Sequence, residues 1–139
     1  MPELRFTVQG KPLPKSVRFS KFGAYNSKPV RVWMTEVAIE AAGHKMASAS
    51  VQEYPIPEGT PISITLTFYL PHPKGTKKAD REVVMPHTRK PDVDNLVKPV
   101  MDGISEAGLW NDDNQVWGLK AYKYWCKRGD ERAEVEVVW

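Results

Sequence analysis

The chain has almost no sulfur chemistry available to it. One cysteine, Cys126, among 139 residues excludes an internal disulfide, and no Cys/His set has the spacing of a zinc site. No apolar run approaches the roughly 20 residues that a membrane-spanning helix needs. The opening Met1-Pro2-Glu3-Leu4-Arg5 alternates polar and apolar residues and lacks a signal-peptide core. Histidine is scarce, and none of the three is a good base. His44 falls on an expected helix, while His72 and His87 sit beside prolines in a basic loop, where solvation or a backbone contact to a polyanion is the expectation. No internal repeat or low-complexity segment is present. These absences predict a cytoplasmic protein with no membrane partner, in which any metal is held by oxygen rather than by sulfur.

What is present is a basic chain with one acidic island. At 139 residues and 41% hydrophobic composition, the length and content suit one domain over 1–139 with its own core. The formal net charge is +3, and it is unevenly spread. The first 31 residues carry Arg5, Lys11, Lys15, Arg18, Lys21, Lys28 and Arg31 against Glu3 alone. Residues 72–90 carry Lys74, Lys77, Lys78, Arg81, Arg89 and Lys90 against Asp80 and Glu82. Two such loops can simply be solvated. Flanking a carboxylate cluster, they point instead to a polyanion, with Lys11, Lys15, Arg18, Lys77, Lys78, Arg89 and Lys90 as the candidate DNA contacts.

Hydrophobic periodicity gives the order of elements. Leu4 to Gln9 alternates as a strand, and a long polar loop follows from Lys11 to about Val30, with Phe19, Phe22 and Tyr25 among its basic residues. Trp33, Val37, Ala38, Ala41 and Ala42 recur at helical spacing, which predicts a helix from about Arg31 to Ala49. Gln52 to Pro61 reads as a proline-rich linker. Ile62, Ile64, Leu66, Phe68 and Leu70 alternate with polar residues in the clearest strand of the chain. A second helix follows Asp92-Val93-Asp94, with the stripe Leu96, Val100, Ile104 and Ala107 and a stop at Gly108. Val116–Cys126 and Ala133–Trp139 read as a closing hairpin. The expected class is therefore α/β (α+β): a small mixed sheet with two main helices, in strand-helix-strand-helix-hairpin order.

The acidic island consists of Asp92, Asp94, Asp102, Asp112 and Asp113, with Lys98 in its middle. In an extended segment residues two apart point the same way, so Asp92 and Asp94 are expected to converge on one ion at the start of the helix. Asp94, Lys98 and Asp102 are four residues apart and share one helix face. Asp112 and Asp113 arrive from a turn, and they reach the helix start only if the closing hairpin packs beside it. Each residue also has an ordinary structural role. Asp92 or Asp94 can cap the helix, at about 1 kcal/mol, Asp102 can make a helical pair with Lys98, at about 0.2–0.5 kcal/mol, and Asp112 and Asp113 can form the turn. Those roles do not account for the co-occurrence. A hard divalent cation does. The EF-hand pattern is not met, because it needs an oxygen ligand at Leu96 and glycine at Val97.

Lys90-Pro91-Asp92-Val93-Asp94-Asn95-Leu96-Val97-Lys98, Met101-Asp102-Gly103-Ile104 and Leu109-Trp110-Asn111-Asp112-Asp113-Asn114-Gln115-Val116 together resemble the RusA family of Holliday junction resolvases. The family pattern is Asp-x-Asp-Asn-Leu-x-Lys, an Asp one helical turn beyond the Lys, and an Asp-Asp-x-Gln-Val turn. Gln9-Gly10-Lys11-Pro12-Leu13-Pro14-Lys15 also looks like the family's N-terminal loop. The resemblance spans nearly the whole chain, with tight motifs in 90–116. It implies a Mg²⁺-dependent homodimeric endonuclease, with Mn²⁺ as a substitute, encoded by bacteria or phages, that nicks opposing strands of a four-way DNA junction. It assigns catalysis to Asp92, Asp94, Lys98 and Asp113 and metal binding to the three acids, leaving Asp102 and Asp112 in support. Two features depart from the pattern. Ser16-Val17-Arg18 stands where relatives often carry a run richer in arginine and proline. Pro99 removes the N–H that would bond to Asn95, which predicts an irregular start to the helix and a shifted Lys98.

Two other readings compete: a DNA-binding module whose acids are only caps and turn formers, and an interaction protein anchored by its five tryptophans. Metal-dependent cleavage separates the first from a nuclease, and salt-sensitive DNA affinity separates the second.

Overall fold

The computed structural model describes residues 1–139. Its elements are β1 (Glu3–Gln9), β2 (Val17–Ser20), β3 (Gly23–Asn26), α1 (Lys28–Ser48), β4 (Ile62–Pro71), β5 (Met85–Pro86), α2 (Val93–Glu106), β6 (Val116–Cys126) and β7 (Arg132–Val138). Short 3₁₀ turns cover Lys78–Asp80 and Asp113–Gln115. The main sheet has the order β1-β7-β4-β6-β5, with β4 parallel to β6 and antiparallel to β7. The mixed sheet with two main helices is as the periodicity predicts.

The closing pair is not a hairpin. β4 lies between β6 and β7 and pairs with both. Its burial alternates at every residue, and Ile62, Ile64, Leu66, Phe68 and Leu70 are all buried, so it is the strand with most to gain from two neighbours. The polar loop between β1 and α1 is also more ordered than its composition predicts. It holds the two-stranded ribbon β2–β3, and α1 begins at Lys28 with Pro29 in its first turn. Proline is at ease there, because the first helical N–H groups have no partner in any case.

The core lies between the sheet and the two helices. Trp33, Val37 and Ala41 of α1 and Leu96, Val100 and Ile104 of α2 are buried against Phe6, Val8, Leu66, Phe68 and Val135. The helices cross closely at Gly103, where an added Cβ would stand 2.8 Å from the Met34 carbonyl oxygen. Gly108 closes α2, as its position predicts. It has φ +74, its amide donates to the Ser105 carbonyl, and the Leu109 amide donates to that of Ile104, the Schellman pattern. The Lys45 ammonium donates to the Ala107 carbonyl at 2.9 Å. No helix is long and apolar enough to cross a membrane.

Candidate active site

α2 sets the frame of the site. Its buried stripe fixes its rotation, which leaves Asp94 and Lys98 exposed and Asp102 half-buried along its outer face. Lys98 is the hub. Its ammonium lies 2.9 Å from an Asp102 carboxylate oxygen, one helical turn on, and 3.3 Å from Asp113 Oδ2, which arrives from the turn before β6. The hydrogen bond that Lys98 donates to Asp102 does most to hold the Lys98 pKa above its ordinary value, partial burial opposes it, and the bond to Asp113 adds to it. Lys98 is therefore an ammonium throughout the neutral range. An i,i+4 pair of this exposure contributes about 0.3–0.5 kcal/mol, so stability alone does not account for a lysine shared between two carboxylates.

The turn that carries Asp113 is held from beneath. Trp110 is buried, and its indole N–H donates to Ser105 Oγ at 2.7 Å. Gln115 is buried too. Its amide donates to the Pro57 carbonyl at 3.1 Å, while its Oε1 accepts from the Asn111 amide at 3.0 Å. Asp112 is the structural acid of the pair. It caps the 3₁₀ turn by accepting from the Asn114 amide at 3.0 Å. That bond does most to lower its pKa, with smaller contributions from Asp113 and Lys98.

Asp92 and Asp94 stand at the N-terminus of α2. Asp92 occupies the cap position in an extended conformation (φ −68, ψ 145), but its side chain makes no capping bond. Asp94 already lies in the first helical turn. The two-residue alternation expected of an extended segment is therefore interrupted, because the helix starts between them. Both carboxylates are exposed, and the helix macrodipole favours anions at this end. Pro99 does not disturb the frame. α2 runs unbroken from Val93 to Glu106 around it, and Lys98 keeps its place between Asp102 and Asp113. The expected irregular start is absent.

The structure thus gathers Lys98, Asp102 and Asp113, and sets Asp92 and Asp94 at the helix start without bringing them into that contact. No group of three or more His, Cys, Asp or Glu side chains is placed to hold a metal ion. Mg²⁺, however, needs no such cage. It usually keeps several waters and takes one or two carboxylates together with substrate phosphate. The uncapped Asp92 and the exposed Asp94 are hard oxygen donors of the required kind.

Several residues outside the expected set shape the site. Lys123 of β6 donates to the Arg89 carbonyl and, at 2.7 Å, to the Pro91 carbonyl, so it holds the segment leading into Asp92. His87 accepts from the Arg89 amide at 3.1 Å and stacks on Trp125 at 3.5 Å between ring centroids. His72 donates to the Val83 carbonyl and also stacks on Trp125. Both rings are buried, which corrects the expectation of solvated histidines: flanked by prolines, they pack inward on an aromatic plane. Burial does most to lower the His87 pKa, with Lys123 and Arg89 assisting. His44 remains on α1, half-exposed, packed on Phe6 and near Glu40. Among the supporting residues, Gln115 alone carries a local signal, its place in the Asp-Asp-x-Gln-Val turn. Lys123, His72 and His87 act through contacts far apart in sequence.

Of the basic residues, Lys15 is the one beside the hub. With Val17, Tyr25 and Asn26 it lines a groove of ≈160 Å³ shared with Lys98, Pro99 and Asp102. Arg18 sits on β2, opposite Tyr25 of β3. Lys11 is exposed in the loop after β1. Arg89 and Lys90 lead into the acidic segment. Lys77 and Lys78 start the 3₁₀ turn, in a loop whose Thr76 and Asp80 share a cavity with Arg89.

Residues 6–138 match the sequence model of the family described as endodeoxyribonuclease RusA. The chain is also 31% identical over 147 aligned residues to the uncharacterized protein YqaN of Bacillus subtilis (strain 168), an alignment that covers 97% of this chain and 94% of that one.

Proposed function

Because this chain belongs to the RusA family of endodeoxyribonucleases, we propose that it is a divalent-metal-dependent nuclease that resolves four-way DNA junctions by paired nicks in opposing strands. The observation that carries this reading is the Lys98 ammonium held between Asp102 and Asp113, on the helix whose start presents the uncapped Asp92 and Asp94. Asp92, Asp94 and Asp113 are the proposed metal ligands, for Mg²⁺ or Mn²⁺. The metal would supply a Lewis acid and lower the pKa of the attacking water. Lys98, fixed by its two carboxylates, meets the negative charge that grows on the scissile phosphate. Asp102 and Asp112 support: one orients Lys98 and the other shapes the turn that carries Asp113.

The basic residues Lys11, Lys15, Arg18, Lys77, Lys78, Arg89 and Lys90 are the proposed phosphate contacts, which position DNA without reading its sequence. Residues 1–139 act as a single nuclease domain, in the cytoplasm of a bacterium or a phage-infected cell. We further propose a homodimer, since two coordinated nicks at a two-fold symmetric junction need two identical sites. The C-terminal tryptophans fit its interface poorly. Trp125 stacks with His72 and His87, and Trp139 packs on Tyr54. Trp117, 76% exposed beside the exposed Leu119 on β6, is the better candidate. β5 pairs only with Tyr124 and Trp125, so no strand covers the outer edge of β6 there.

The deciding experiment is incubation of a synthetic mobile four-way junction with Mg²⁺, against duplex, single-stranded and EDTA controls. Symmetric nicks in the junction alone, lost in Asp92→Asn, Asp94→Asn and Asp113→Asn variants that still bind, are expected. Salt-sensitive binding without cleavage in any divalent metal would leave only a DNA-binding module.

A further inference from the structure

The ribbon β2–β3 carries two large apolar rings with no structural employment. Phe19 is 81% exposed and Phe22 is 89% exposed, and all of β2 and most of β3 lie outside the core. Rings so exposed contribute little burial to stability. The ribbon itself is well defined. Val17 pairs with Asn26, Arg18 with Tyr25 and Phe19 with Ala24. Ser20 Oγ accepts from the Phe22 amide at 3.1 Å in the turn, and the Ser27 amide donates to the Ser16 carbonyl at its base.

Its placement and charge indicate what it receives. Side chains two apart in a strand share a face, so Phe19 lies on the face of Val17 and of its cross-strand partner Ala24. Both of those residues line the groove that contains Lys98 and Asp102. Phe19 therefore stands about 7 Å farther along the same face, and Phe22 marks the tip. Positive charge lies close by: Lys21 Nζ sits 5.1 Å from the centre of the Phe22 ring, and Arg18 adjoins Phe19 in β2, on the opposite face of the ribbon. A flat aromatic surface flanked by positive charge fits a nucleobase whose phosphate lies alongside. An apolar protein partner would have to desolvate those cations without compensation.

We propose that the ribbon is a base-stacking element: Phe19 and Phe22 receive a base unstacked at the branch point and so hold the adjoining phosphate at Lys98. This rests on the proposed action on branched DNA. Unstacking at a branch costs less than in continuous duplex, so an aromatic that rewards it favours branched over linear DNA.

The test uses the full-length protein and a junction carrying 2-aminopurine at the branch, whose emission rises on unstacking. Wild type should raise the emission. The Phe19→Ala/Phe22→Ala double variant should not, and should bind the junction and a single-stranded oligonucleotide about tenfold more weakly, with duplex affinity and solution mass unchanged. Phe19→Trp/Phe22→Trp should restore the signal. An emission rise equal to wild type in the alanine variant overturns the proposal. So does a change in its mass, which would make the ribbon a subunit clasp. If wild type binds no junction, the functional reading fails instead, and single-strand affinity unaffected by the alanine substitutions would then dispose of the stacking element as well.

Discussion

The Lys15 amide donates to the Asn95 carbonyl at 2.7 Å, and Asn95 is the residue whose helical donor Pro99 removes. A carbonyl inside α2 ordinarily accepts from the amide four residues on, and at position 99 that amide does not exist. The vacancy is filled from the N-terminal basic loop. A proline that by itself weakens the helix thus provides the acceptor that pins Lys15 beside Lys98. Pro99→Ala restores an N–H that competes for the same carbonyl. Hydrogen exchange should show the Lys15 amide losing protection in this variant, with junction affinity reduced. Unchanged protection at Lys15 would mean that the clip does not depend on the proline.

Lys98→Ala should slow junction cleavage by about 10²–10³-fold, the usual cost of removing a donor that meets developing charge, while binding weakens far less. Single-turnover rates and equilibrium binding separate the two. Equal losses in both would make Lys98 a plain backbone contact.

How far the site could be read from sequence depends on how local its causes are. The alternation of β4, the stripe of α2 and the stop at Gly108 are nearest-neighbour patterns, and they survive into the fold. Asp94, Lys98 and Asp102 share a face as their spacing predicts. The ribbon β2–β3 was not legible, because nearly every residue in it is exposed and neither strand alternates. Nor was the intrusion of β4 between β6 and β7, since register between distant strands leaves no local mark. The roles of Lys123, His72 and His87 depend on contacts between residues 11 to 53 positions apart. The extended alternation expected of Asp92 and Asp94 fails because α2 starts at Val93, between them.

Gly103→Ala should destabilise the protein by about 1–3 kcal/mol through overpacking. The new methyl would meet the Met34 carbonyl at 2.8 Å and the Val37 side chain at 2.9 Å, and backbone yields less readily than a side chain. Urea denaturation should show a lower midpoint with an unchanged slope. A midpoint equal to wild type would mean that the helices separate freely at this crossing.

Junction affinity should fall steeply with salt, because each neutralised phosphate releases counterions. Replacing Lys15 and Arg18 together by glutamine should lower the slope of log K against log salt by up to about 2. A slope that stays the same would put the DNA on another face.

Burial pushes the Cys126 thiol up to about 11, with Glu131 adding to the shift. In the native protein at pH 8 the thiol should therefore resist iodoacetamide and react only after unfolding. The linkage has a definite sign. From the ordinary 9.0 to about 11 the unfolded chain loses the thiol proton while the folded one keeps it, so rising pH favours unfolding across that window. The stability of wild type relative to Cys126→Ala should shrink there, as measured by urea midpoints. Rapid native labelling at pH 8 would contradict this environment for the thiol.

β1 has one partner in the sheet, and that partner is β7. β1 must therefore wait for residues 132–138, more than a hundred positions later in the chain, before it can dock. Contacts of such separation slow folding. They also time it: a nascent chain that already carries Asp92, Asp94, Lys98 and Asp113 still lacks the strand that ties its beginning to its sheet. Translation that stops short of β7 would release a fragment with every proposed catalytic residue and no finished scaffold, so assembly of the cutting site is linked to the synthesis of β7.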